Sequence, residues 1–150
     1  MRKYLSGQGA TEYLVLLAVV LIIALVAIAL LGFFPGLSSD AKINQSASYW
    51  KAASPFAITA HSITTAGNAT LVLQNTAADG TYTLTNISLA GNATSGSYSF
   101  SPGETRSISV GAPTGTAGTA YDLAVNITYT TPYGISSKQY GSKTLVGKYI

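Results

Sequence analysis

Few residues in this chain can do chemistry, and the first of them is a carboxylate in an awkward place. Glu12 stands two residues ahead of Leu14, where an unbroken run of eighteen apolar residues begins, and no basic residue follows it at the third or fourth position. An acidic side chain at the centre of a bilayer costs about 2.5–3.5 kcal/mol on insertion scales, and Glu12 sits nearer the edge, where the cost is smaller. The positive end of a helix dipole offsets part of it. A cut between Gly7 and Gln8 would supply a further partner. It creates an α-amino group with a pKa of about 7.7–8.0, largely protonated at neutral pH, which a neighbouring copy can set against Glu12.

The second group of chemistry-bearing residues is made of asparagines. The chain has six, and five of them open an Asn-x-Ser/Thr triplet: Asn44, Asn68, Asn86, Asn92 and Asn126, leaving Asn75 as the exception. Ser and Thr make up about a quarter of the chain, so chance would give one or two such triplets. Each is an acceptor pattern for an N-linked sugar, and sugars would solubilise a chain in which charged residues are only 9%.

Little else is on offer. The single histidine, His61, lies in a Thr-rich stretch without a carboxylate or second histidine near it in sequence, and reads as a surface or interface residue. Asp79 and Glu104 adjoin glycine turns, where turn formation is reason enough for them. There is no cysteine, hence no disulfide scaffold and no thiolate metal site. No metal-ligand spacing, nucleophile elbow or phosphate loop is present, so the sequence reads as that of a protein with no catalytic, metal or cofactor site. The net charge of +3 is small and the basic residues are unclustered, which argues against nucleic-acid binding.

The elements that position these residues divide the chain sharply. Leu14–Leu31 spans about 27 Å as a helix, close to the hydrocarbon thickness of a bilayer. Arg2 and Lys3 precede it, which puts the amino terminus in the cytoplasm and the rest of the chain outside. Gly32–Gly36, with Pro35, is expected to bend or interrupt the helix, and a second helical stretch is expected from Leu37 to Ala53, ended by Pro55. Ile43, Tyr49 and Trp50 are its candidate packing residues. Beyond Pro55 the pattern turns to β. Tyr121, Leu123, Val125, Ile127 and Tyr129 alternate with small or polar residues, the mark of a half-buried strand. Six more strands read as 57–65, 69–75, 81–89, 97–100, 105–110 and 135–146. In the third of the seven the apolar phase shifts from Tyr82 and Leu84 to Ile87 and Leu89, which predicts a bulge near Asn86. The expected fold is therefore α+β: a long amino-terminal hydrophobic helix, then an all-β immunoglobulin-like sandwich head of about seven strands.

The amino-terminal residues also resemble a known pattern. A short basic leader ending in Gly7, then Gln8, Glu12 at the fifth position of the mature chain, Leu16 and a long apolar run resemble a class III, prepilin-like signal peptide. The closest likeness is to archaeal type IV pilins, with Ala10 where their pattern has Ser. Cutting after Gly9 would put Glu12 at the third position, so the Gly7/Gln8 bond fits better. The kinked helical connector at 35–54 and the β-sandwich head at 55–150 follow from the residue patterns above. The resemblance covers about residues 1–34 and implies a leader at 1–7 and a membrane or filament-core helix at 8–34. It implies a precursor held in the cytoplasmic membrane, amino terminus inside, and cleaved by a prepilin peptidase. An assembly ATPase and its membrane platform would then extract it into an extracellular filament. There the helices pack against other copies of themselves, and Glu12 lies near the amine of Gln8. N-linked glycans are the expected covalent addition and surfaces to which cells attach the expected external partner. The alternatives are a minor pilin-like surface-binding protein, a signal-anchored surface protein that never polymerises, and an archaellin.

Overall fold

The computed structural model describes residues 8–150, and for residue 8 and residues 32–37 the backbone alone. Gly7, the first half of the expected cleavage junction, therefore lies outside the described residues. Helix α1 runs Gln8–Lys51. The stretch beyond Leu37 is helical as expected, but it belongs to this same element. Proline removes one backbone donor from a helix without obliging it to end. Two compact units form, divided between Asp40 and Ala41. The last turns of α1 thus fold with the strands.

Nine strands follow: β1 (Phe56–Ile63), β2 (Asn68–Asn75), β3 (Tyr82–Leu89), β4 (Asn92–Phe100), β5 (Thr105–Gly111), β6 (Ala120–Leu123), β7 (Val125–Thr130), β8 (Ser136–Tyr140) and β9 (Leu145–Lys148). They pair antiparallel in three sheets, ordered β1-β2-β5, β4-β3-β7-β8 and β6-β9. The fold is α+β with a sandwich-like head. Ile58, Leu71, Leu73 and Ile108 from the first sheet and Leu84, Ile87, Leu89 and Ile127 from the second join one buried cluster. Phe56 sits within it, edge-on to Phe100 at 5.2 Å and to Tyr129 at 5.7 Å between ring centroids. Such pairs add about 0.5–1.5 kcal/mol each beyond the area they bury.

The phase shift in β3 is a bulge, placed between Leu84 and Asn86 in its pairing with both neighbours. Tyr82, Leu84, Ile87 and Leu89 all point inward because of it. The difference from seven strands to nine comes from two divisions of one long hairpin. The alternating segment 121–129 is β6 and β7, and the segment 135–146 is β8 and part of β9. Asn126 pairs with Tyr140, yet Leu123 pairs with Leu145. The Gly141 N–H still donates to the Val125 carbonyl at 3.1 Å, so one residue, 124, faces three, 142–144, and the ladder opens there.

The final turns of α1 fill that opening. Ser46 Oγ donates to the Thr144 carbonyl at 2.8 Å and accepts from the Val146 N–H at 3.0 Å. Tyr49 Oη accepts from the Ser142 N–H at 2.9 Å. The ring of Trp50 occupies the space that a Cβ on Gly141 would take. Trp50 is fully buried, and its Nε1–H has no hydrogen-bond partner, so packing alone holds it there. A Gly141→Ala change is expected to cost about 2 kcal/mol by overpacking, and Trp50→Ala about 3–5 kcal/mol, both measured by denaturant unfolding. A Gly141→Ala protein of native stability would mean that the indole is not seated on that glycine.

Candidate functional site

Three places hold the residues able to act: the amino-terminal half of α1, the outer face of the four-stranded sheet, and the contact between β1 and β6. In the first, Gly9–Leu31 is a stretch of 23 residues long and apolar enough to cross a membrane or serve as a signal sequence, and none of it is buried within the chain. Large apolar side chains face outward all round, from Leu14 to Leu31. Glu12 lies in the second turn, exposed, on one face with Val15 and Leu16. No basic side chain among the described residues forms an ion pair with it.

The sequon asparagines sort cleanly from the sixth. Asn44, Asn68, Asn92 and Asn126 are exposed and Asn86 is half-buried, whereas Asn75 is fully buried. Asn75 has a structural task. Its Nδ2 donates to the carbonyls of Gly80 and Phe100 at 3.1 and 3.0 Å, and its Oδ1 accepts from the Ala77 N–H at 3.0 Å. That one amide ties together the turns after β2 and β4. Asn86 donates to Ser95 Oγ at 2.9 Å across the β3–β4 pair.

Asn86 and Asn126 share the outer face of the four-stranded sheet, where Asn86 pairs with Thr128 and Ser88 with Asn126. On β3, β4 and β7 that face is made of short hydroxyl and amide side chains, among them Thr83, Asn86, Ser88, Ser95, Ser99, Thr128 and Thr130, and on β8 it carries Lys138 and Tyr140. Asn68 and Asn92 lie elsewhere, on either side of Gly111. Asn68 is its ladder partner, and Asn92 Cβ is 3.7 Å from where a Cβ on Gly111 would sit.

The triplet at Asn44 differs from the other four. Its third residue is Ser46, buried within the folded unit with both hydrogen-bonding directions used. Sequence spacing shows a sequon there and carries no sign that the hydroxyl is already spent. Beside it runs a small cleft lined by Lys42, Gln45, Asp122 and Lys143, whose Ser46 hydroxyl is the one already engaged.

His61, read from the sequence as a surface or interface residue, is half-buried. Its Nδ1 lies 2.7 Å from Tyr121 Oη, and the rings meet edge-on. Burial holds the imidazole below its usual range. Burial, followed by the neighbouring Tyr149, pushes the Tyr121 phenol up to about 12. Both groups are thus neutral at pH 7, a packed pair between β1 and β6. Glu104 closes the turn before β5, where the Ser101 N–H at 2.8 Å and the Arg106 guanidinium at 2.9 Å hold its carboxyl below the usual range. Among the described residues no cluster of three or more His, Asp or Glu is placed to hold a metal ion.

No protein-family model matches the chain, and no curated protein matches it by sequence.

Two outcomes follow from this geometry. Removing the Asn44 sequon as Asn44→Gln is expected to leave stability within about 0.5 kcal/mol, while Ser46→Ala, which abolishes the same sequon, costs about 2 kcal/mol by orphaning two backbone groups. Equal effects in denaturant unfolding would deny the Ser46 clamp. His61 gives a pH dependence of definite sign. Its folded pKa lies below the unfolded value of about 6.5, so its contribution to stability is complete above that pH and is lost as the pH falls below it. The unfolding midpoint of the native chain is expected to drop between pH 7 and pH 5 by more than that of a His61→Gln variant, and parallel curves would refute it.

Proposed function

We propose that the chain is a structural subunit of an archaeal type IV pilus or adhesion filament. One observation carries the reading: Gly9–Leu31 is apolar on every side and buried against nothing within its own chain, with a single carboxylate at Glu12 and a β head following it. A helix of that kind needs lipid or other copies of itself around it. Small residues at Ala18, Ala24, Ala27 and Ala29 permit close helix approach. Both environments serve in turn, lipid for the precursor and neighbouring helices for the filament.

In this reading a membrane prepilin peptidase cuts between Gly7 and Gln8, and an assembly ATPase with its platform extracts the mature chain. The helices bundle in the filament core, and the Gln8 amine of one copy neutralises Glu12 of another. Loss of Arg2 and Lys3 with the leader takes the formal charge from +3 to +1. Repulsion between close-packed copies is correspondingly weak. The heads, glycosylated at the sequon asparagines, form the outer surface and make attachments. The surface exposure of four sequon asparagines, against the burial of Asn75, supports the glycan assignment.

Mass spectrometry of material sheared from cells tests the reading. A polymer whose chains begin at Gln8 is the expected result. Chains that keep Met1 and stay with the membrane would make this a signal-anchored surface protein instead. Glu12→Gln is expected to reduce filament yield at least tenfold while membrane insertion persists, judged by shearing yield against membrane content. Normal filaments from that variant would refute the Glu12–amine pairing.

A further inference from the structure

Tyr140 is a large aromatic side chain that the fold leaves outside. It is 63% exposed at the end of edge strand β8, on an outer face where its neighbour on the same strand is Lys138 and the strands beside it carry short hydroxyl and amide groups. Among the other exposed apolar residues of the head, Tyr133 and Ile135 lie in the turn at the opposite end of β8, Ile135 about 17 Å away along the strand. Tyr140 is therefore an isolated ring and no part of that patch.

Its ladder partner is Asn126. The Gly141 N–H donates to the Val125 carbonyl at 3.1 Å. That bond makes Asn126 and Tyr140, the next pair along, one of the pairs without mutual hydrogen bonds, in which side chains come closest, with Cα atoms about 4.5 Å apart. Both residues are exposed, while their neighbours Ile127 and Gln139 are buried, so both stand on the outer face. The other strand sequons have no such neighbour. Asn68 pairs with Gly111, Asn92 with Leu89, and Asn86 with Ser95 and Thr128.

We infer that Tyr140 is the platform on which the first sugar of an Asn126-linked glycan packs. This rests on the glycan assignment above. The anomeric carbon of an asparagine-linked pyranose is three bonds beyond Cβ, level with the middle of a tyrosine ring on the adjacent strand. One face of a pyranose carries C–H groups of slight positive charge, and the face of an aromatic ring is negative. Directly opposed side chains of this kind are the unit of sheet stabilisation. The backbone beneath Tyr140 is fixed on both sides. Gln139 exchanges two hydrogen bonds with the backbone of Phe56, at 2.8 and 3.1 Å, and Gly141 lies against Trp50. A sugar settling on Tyr140 therefore orders little that is not ordered already.

The test combines mass spectrometry of the Asn126 peptide with thermal unfolding of the detergent-solubilised full chain. Asn126→Gln removes the glycan in three backgrounds: native, Tyr140→Phe and Tyr140→Ala. The expected result is a sugar on the Asn126 peptide, a fall in unfolding midpoint of about 3 °C in the native and Tyr140→Phe backgrounds, and a fall of no more than about 1 °C in Tyr140→Ala. A modified Asn126 with equal falls in all three backgrounds overturns the stacking and leaves the glycan assignment intact. An unmodified Asn126 peptide overturns the glycan assignment at this position, and the platform with it.

Discussion

The head depends on a gap in its own hydrogen-bond ladder and on what fills it. Between the pairs Leu123–Leu145 and Asn126–Tyr140 the two strands carry unequal numbers of residues. The backbone groups freed there must find partners, since buried donors and acceptors left alone cost more than a made bond returns. Ser46 and Tyr49 supply them from α1, and Trp50 fills the remaining volume. A single serine hydroxyl serves as donor and acceptor to residues on either side of Leu145. The division of the hairpin into β6–β9 and β7–β8, and hence the presence of a third sheet, follows from this insertion. Gln139 makes the matching connection on the other side, closing the start of β1 with its side-chain amide.

Much of this was legible in the residues. Apolar spacing located the strands that face the core, though it merged two pairs of them and missed the first half of β4, and the change of phase in β3 located the bulge before Asn86. The split at Ala124 was not legible, for a physical reason. Alternation from Tyr121 to Tyr129 is unbroken because both halves present the same face to one core, and what changes at Ala124 is the partner. Periodicity records which side of a strand is buried and says nothing about who lies beside it. The same limit hid the pairing of Asn126 with Tyr140, fourteen residues apart. Register would have been needed, and the turn after β7 sets it through the Thr131 N–H, which donates to the Ile135 carbonyl. The contacts of His61 and Ser46 were not legible because their partners, Tyr121 and residues 144–146, are distant in sequence.

The head holds its polar groups in a manner suited to a chain with few charges. Arg106 and Glu104 make a surface ion pair of the kind worth little by itself. The interior work falls to neutral amides and hydroxyls: Asn75 across two turns, Gln139 on Phe56, Thr76 Oγ1 on the carbonyls of Ala53 and Pro55. Neutral networks of this sort carry no cost of burying charge and are indifferent to salt. Asparagine thus has two uses here. Buried, it stitches turns; exposed, it stands at the head of a sequon.

The position of the clamp along the chain has a mechanical consequence. A pull entering the folded unit through α1 arrives at Ala41 and meets Ser46, then Tyr49 and Trp50, before it reaches Phe56 and the first strand. Those side chains grip strand backbone some hundred residues further on, so the load passes from the helix into the 141–146 segment without travelling through β1. Force carried along the helix is thereby delivered first to β9 and the loop before it, at the far end of the chain, through a serine, a tyrosine and a buried indole.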